Sequence, residues 1–432
     1  MTPGARASAA IEVLADIEAR KRPAAEALKD WGLAHRFAGS SDRAAVGNLV
    51  FDALRIRASA AYAMGGESPR ALVLRTLAAS WHMSSEAVSA IIDGTRHAPP
   101  PLTDDERAGL ERELPEDAPP HVKGDYPAWL HAEFERAFGG RAAEEGAALA
   151  RRAPVDLRAN TLKAPRDKVL KALHRFDPVP APHSPLGVRI VHGPGPAKGP
   201  HVEAEPGHGK GWYEVQDEGS QLATLLSGAG PRQQVIDLCA GAGGKTLALA
   251  ATMENTGQLY AYDADRMRLR PIFERLKRAG ARNVQVLPAG DREALAKLDG
   301  KMDLVLIDAP CSGSGVWRRR PDAKWRLSPQ MVEARQTEQR QVLEEGAKLV
   351  KPGGRLAYIT CSVLPSENGD QVDSFLAGHP AFKLIPWPKL WEAALPDTPP
   401  IPSADNSAET LQMTPRSHGT DGFFVAVMER VG

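Results

Sequence analysis

No run of about 18 apolar residues occurs in this chain, so a membrane-spanning helix is not expected. Cysteine is scarce: of 432 residues only Cys239, Cys311 and Cys361 carry thiols. Three thiols cannot all pair, do not suggest a disulfide framework, and fit a reducing cytoplasm. No C-x-x-C pair or close Cys/His cluster is present, so the usual zinc spacings are missing and no bound metal is expected. The first residues, MTPGARASAAIEVLADIEARK, carry acids early and lack an apolar segment, so they do not read as a secretory signal. An excess of charge is absent too, since 54 basic and 54 acidic residues cancel. Total charge therefore gives no support to a nucleic-acid partner, which would need a local basic patch.

What is present is ordinary globular composition, 42% hydrophobic and 25% charged, in a chain long enough for two or three domains. The first hundred residues are alanine-rich and read as helices. In SSDRAAVGNLVFDALR, Val46, Leu49, Val50 and Leu54 share one helical face, with Ser41 or Asp42 able to cap its start. The proline- and acid-rich HAPPPLTDDERAGLERELPEDAPPH is expected to end this region, giving a helical domain over residues 1–125. A linker helix, PAWLHAEFERAFG, then leads into VDLRANTL and GVRIVHG, read as strands, with RDKVLKALHRF as a helix between them. This is expected to be a small α+β module within residues 126–229, and its run HGPGPAKGPHVEAEPGHGKG has the composition of a long mobile loop. Over residues 230–432, the apolar runs QVIDLCA, QLYAYDA, VQVLPAG, DLVLIDAP and GRLAYITCS alternate with amphipathic helical segments. That rhythm predicts an α/β domain with a mostly parallel sheet covered on both faces, binding ligands beyond the carboxyl ends of its strands.

All three cysteines fall at or just past the ends of those strands. DLCAGAGGKT, residues 237–246, follows the first strand and opens a helix. A dinucleotide fingerprint starting at Gly241 would need glycine at Thr246, and a phosphate-binding loop ending at Lys245 and Thr246 would need glycine at Cys239. Neither pattern fits. Asp263 ends the second strand and can accept hydrogen bonds from ribose hydroxyls. A glycine loop with a ribose-binding acid and no phosphate grip points to S-adenosylmethionine. A tight turn with Asp263 as a helix cap is the plainer reading. Asp291 either contacts the adenine or caps a helix at GDRE.

Cys311 in DAPC and Cys361 in ITCS pose a second question, because no histidine lies near either in sequence. Carbon 5 of cytosine is a poor nucleophile. A thiolate adding to carbon 6 makes the ring an enamine that can accept a methyl group at carbon 5, while a second group helps release the product. Free cysteine, with a pKa of about 8.5, is mostly protonated at neutral pH and needs help to react. Asp308 could accept a hydrogen bond from the cytosine amino group.

Together DLCAGAGGKT, DAPCSGSGVWRRRPDAKW and ITCSVLPSEN resemble the motifs of the Sun family of RNA (cytosine-5) methyltransferases, with VDLRANTLKA, YEVQDEGSQLA and HGTDGFFVA in the right order around them. The resemblance covers about residue 125 to the end, and more weakly the first hundred residues, which resemble that family's NusB-like RNA-binding domain. It implies a Rossmann-like class I methyltransferase fold. It also implies that Cys361 is the nucleophile and that Cys311 assists release. Cys239, Ala240, Gly241, Ala242, Gly243, Gly244 and Lys245 would form the cofactor loop, with Asp263, Arg268, Asp291 and Asp308 completing the pocket. Ala242 stands where the family commonly has proline, so a looser loop is expected.

Arg318, Arg319, Arg320 and Lys324 form a local basic run suited to RNA phosphates, and Trp317 and Trp325 could stack on bases. A solvated arginine run beside a core tryptophan is the plainer alternative. The target cytosine must be single-stranded or flipped out of its stack. The expected activity is cytosine-5 methylation of RNA, with ribosomal RNA as substrate, by a cytoplasmic monomer. A DNA cytosine-5 methyltransferase and a catalytically inactive ribosome-assembly factor are the rivals.

Overall fold

The computed structural model describes residues 1–432, which divide into two units. The first comprises Met1–Ala153 with the later segments His192–Gly199 and Val316–Leu327. Helices Pro3–Arg20, Ser40–Arg55 and Pro69–Ala79 supply its core, including Val13, Leu14, Leu49, Leu72 and Leu74. The predicted face of Val46, Leu49, Val50 and Leu54 is fully buried, each such side chain contributing about 1.5–3 kcal/mol. The start of that helix differs from expectation. Gly39 occupies the cap without a side-chain bond, and Asp42, in the first turn, accepts from Arg6 at 2.9 Å. The proline- and acid-rich stretch does not end the helices either. Thr103 and Glu106 form a reciprocal capping box that starts a helix over Asp104–Glu111, and helices continue to Leu149. Residues 126–153 thus lie in this unit. The Gly/Pro run is held in place over part of its length. Asn48 donates to the carbonyls of Gly195 and Ala197, each at 2.8 Å.

The second unit begins with a four-stranded antiparallel sheet: β1 (Val155–Ala159), β2 (Val179–Pro180), β3 (Gly187–Ile190) and β4 (Tyr213–Val215), in the order β2-β3-β1-β4. Helix Arg166–Ala172 lies between β1 and β2 in sequence, and Leu157, Val169, Val188 and Tyr213 share the module's core. The rest forms an eight-stranded sheet from β5 (Gln234–Asp237), β6 (Gln258–Ala261), β7 (Val284–Val286), β8 (Met302–Asp308), β9 (Val350–Thr360), β10 (Phe382–Leu384), β11 (Leu411–Met413) and β12 (Phe423–Arg430). Its order is β10-β12-β9-β8-β5-β6-β7, with β11 also paired to β12. The five apolar runs read from the sequence are β5 to β9, and they pair in parallel. The last three strands are antiparallel to their neighbours. The sheet is therefore Rossmann-like and mostly parallel. Strand order reverses direction at β5 and β8, which is where ligand crevices open in such sheets.

Candidate active site

The loop after β5 takes its shape from glycine. Gly241 and Gly243 have φ of +48° and +86°, a region that other residues enter at a cost. A Cβ at Gly243 would also stand 2.5 Å from Ile272. Asp263 closes the loop from β6. One oxygen accepts the Gly241 N–H at 2.9 Å, with Arg268 3.7 Å away, and the other accepts from Asp265 at 2.8 Å. Each carboxylate oxygen has two acceptor sites, so capacity for a ribose hydroxyl remains. Ala242 does not leave the loop untethered, because Arg275 donates to its carbonyl at 2.8 Å while also pairing with Glu214. Lys245, buried in the first turn of helix Gly244–Thr252, pairs with Asp308 at 2.7 Å. Asp291 caps the helix Arg292–Ala296, accepting from Ala294 at 2.9 Å. Cys239 is half-buried, and burial pushes its thiol pKa up. Beneath the loop, Asp237 accepts from Thr246 at 2.7 Å, its second oxygen has no protein partner, and burial raises its pKa to about 7. Open backbone at a switch point, with a second-strand acid and no phosphate-binding pattern, fits a nucleoside-bearing sulfonium such as S-adenosylmethionine.

The two remaining thiols meet on adjacent strands. β8 and β9 run in parallel with Asp308 opposite Ile359, and neighbouring strands lie about 4.8 Å apart. Cys311, three residues past β8, and Cys361, one past β9, thus converge despite 50 intervening positions, with their sulfurs 3.4 Å apart. Hydrogen bonding to Cys361, then burial, pushes the Cys311 thiol well up. The surrounding loops are stitched together. Gly315 donates to the Cys361 carbonyl at 3.0 Å, and Gly422 donates to the Gly315 carbonyl at 2.8 Å. A Cβ at Gly315 would strike the Gly422 carbonyl at 2.0 Å, so glycine is required there. HGTDGFF leads into β12, and its Phe423 ring lies 5.1 Å from the Lys245 ammonium.

The basic run is a correction. Arg318 and Lys324 are buried, not presented to solvent. Lys324 donates to the Arg55 carbonyl at 3.0 Å and faces Asp125, and burial lowers its pKa to about 8. Arg55 in turn donates to the Arg318 carbonyl at 2.9 Å. Trp317 is also interior, stacked on Phe134 at 6.0 Å, and the Trp325 indole donates to the Leu54 carbonyl at 2.6 Å. The segment is a packing element of the helical unit. Arg319 is half-buried, and Arg320 is the exposed member of the predicted set.

Sequence reasoning assigned no role to Ser312, Ser362, Gln339, Glu367 or Asn368, which surround the thiols. Asn368 bridges the Thr360 hydroxyl (2.6 Å), the Ser362 carbonyl (3.0 Å) and Gln412 (2.9 Å). The repeated Cys-Ser dipeptide was the available signal.

Residues 224–429 match the family model for the 16S rRNA methyltransferases RsmB/F, and residues 126–194 match the RsmF/B-like ferredoxin-like domain. A ribosomal RNA small subunit methyltransferase B of Sodalis glossinidius is 32% identical over 368 residues, 83% of this chain and 77% of that protein. Among solved structures, PH0851 superposes with a TM-score of 0.73 at 27% identity, covering 99% of each chain. NSun6 from Pyrococcus horikoshii, solved with SFG, gives 0.63 at 22% identity over 71% of this chain and 98% of that one, a likeness of fold. The 32% identity to the Sodalis glossinidius protein, sustained over most of both sequences, means that the chain belongs to the RsmB/F family of 16S rRNA methyltransferases.

Proposed function

We propose that this rRNA methyltransferase acts at carbon 5 of cytosine through a covalent adduct on Cys361. The observation that carries the reading is the pair of sulfurs 3.4 Å apart, at the carboxyl edge of the strand next to the glycine loop. The loop from Cys239 to Lys245, with Asp263, Arg268 and Asp291, would hold S-adenosylmethionine, which supplies an electrophilic methyl group when bound. Asp308, paired with Lys245 at 2.7 Å, accepts from the cytosine amino group. The Cys361 sulfur adds to carbon 6, and the electrons of the 5,6 double bond become available at carbon 5. After carbon 5 is methylated its proton passes to solvent water, the C–H electron pair re-forms the 5,6 double bond, and the carbon–sulfur bond breaks with its pair returning to the Cys361 sulfur. Cys311, its sulfur 3.4 Å from that of Cys361, sits where it can pass a proton to the departing sulfur. Arg320 is the contact for RNA phosphate that the basic run offers at its surface.

The test uses the full chain, labelled S-adenosylmethionine and unmodified rRNA. Cys311→Ala is expected to accumulate a protein–RNA adduct that survives denaturation. Full turnover with no adduct would remove Cys311 from the release step. Transfer to DNA in place of RNA would favour the DNA-methyltransferase reading.

A further inference from the structure

Each catalytic cysteine is followed by a serine, and both serines turn to the same group. Ser312 donates its N–H to Oε1 of Glu367 at 2.8 Å and its hydroxyl to Oε2 at 2.5 Å. Ser362 donates its hydroxyl to that same Oε2 at 2.6 Å. Gln339 completes the set, donating to Oε1 at 3.2 Å and to the Pro310 carbonyl at 2.9 Å. Glu367 is wholly buried. A carboxylate in such a place is costly unless well satisfied, and an apolar side chain would fill the volume more cheaply. What an apolar side chain could not do is gather donors from both thiol loops.

We propose that Glu367 is a positioning residue that sets the separation of the two sulfurs by drawing Ser312 and Ser362 onto one carboxylate oxygen. This rests on the reading of Cys311 and Cys361 as the reacting pair. The two serine hydroxyl oxygens stand 3.4 Å apart, the same spacing as the sulfurs. Without the carboxylate, the loops keep the Gly315–Cys361 bond, the Val363 N–H to Ser314 hydroxyl bond at 2.9 Å and the contact of the Ser314 and Ser362 hydroxyls at 3.0 Å. None of these holds Ser312, so the Cys311 side of the pair is the one the carboxylate fixes.

The spacing can be read without methyl transfer, by closing a disulfide across it. Diamide takes two electrons and two protons from the thiols, its N=N bond becoming N–N as the S–S bond forms. In the full-length Cys239→Ser background, the parent is expected to lose both thiols together, with the mass of two hydrogens. Glu367→Ala and the Ser312→Ala/Ser362→Ala double variant are expected to close the bond about tenfold more slowly. Glu367→Gln, which keeps one acceptor oxygen, should fall between. With Cys239 intact, turnover should follow the same ranking, with kcat reduced about tenfold or more and the KM for the methyl donor within about twofold. Parental oxidation rates in the double variant, or in a Glu367→Ala protein that keeps a parental thermal midpoint, would overturn the proposal. If Glu367→Ala does not fold, Glu367→Gln and the serine pair carry the test. If the oxidation rates rank as expected while even the parent transfers no methyl group, the clasp stands and the assigned reaction falls.

Discussion

Two loops border the same sheet edge and are built in opposite ways. The loop after β5 is made by backbone, from glycines in left-handed conformations and a carboxylate that receives main-chain N–H groups. The thiol loops after β8 and β9 are made by side chains, with two serines and a glutamine converging on Glu367. The difference follows from the task. A ligand that lies along a chain needs room, which glycine gives by having no Cβ. On the proposed reaction, two sulfurs that act on opposite steps need a fixed separation, which side-chain hydrogen bonds to a buried anchor supply.

The contrast can be broken from either side. Cys361→Ala should cost the most, about 10³-fold or more in methyl transfer, with donor affinity by calorimetry unchanged. A variant that still turned over normally would show that the sulfur is not the nucleophile. Gly243→Ala is the reverse experiment. Its left-handed φ and the contact with Ile272 predict a loss of about 2 kcal/mol in stability and about tenfold weaker donor binding. The Cys311–Cys361 oxidation rate should not move, and a parallel change would mean that the two loops are one mechanical element.

A pH-dependent effect concerns the acid beneath the glycine loop. The folded pKa of Asp237, about 7, lies above its ordinary 3.8, so the folded state holds the proton more tightly. Its stabilising contribution is complete below about pH 4 and is lost as pH rises through 7, a span of up to about 4 kcal/mol. Asp237→Asn should flatten the decline of the thermal midpoint between pH 4 and 7, and an unchanged slope would refute the assignment. The smallest effect is expected of Arg320→Ala. It should weaken RNA binding by less than about threefold at moderate salt and lower the logarithmic salt slope by about 0.7. An unaltered slope would exclude Arg320 from phosphate contact.

The strands that carry the site were legible because each is a short apolar run closed by a chemically distinctive residue, Asp237, Asp263, Asp308 or Cys361. The antiparallel strands β10 and β11 were not read, since three residues each are too few to show a period. The helix over Asp104–Glu111 was missed because flanking prolines and acids mark a break as readily as a capped first turn. The arginine run misled for a related reason. A run of cations looks solvated until the chain supplies partners, and those partners are Asp125 and the carbonyl of Arg55, some two to three hundred residues earlier.

By itself, then, the sequence determined the order of the motifs, the alternation that makes a parallel sheet, and the presence of glycines and acids at strand ends. These are properties of neighbouring residues, written in local periodicity and backbone preference. Only the tertiary structure decided that two thiols 50 residues apart come within 3.4 Å, that Lys324 turns inward, and that one glutamate gathers both cysteine loops. Those outcomes depend on strand adjacency and on burial, and both arise from pairings between distant segments that no local pattern encodes.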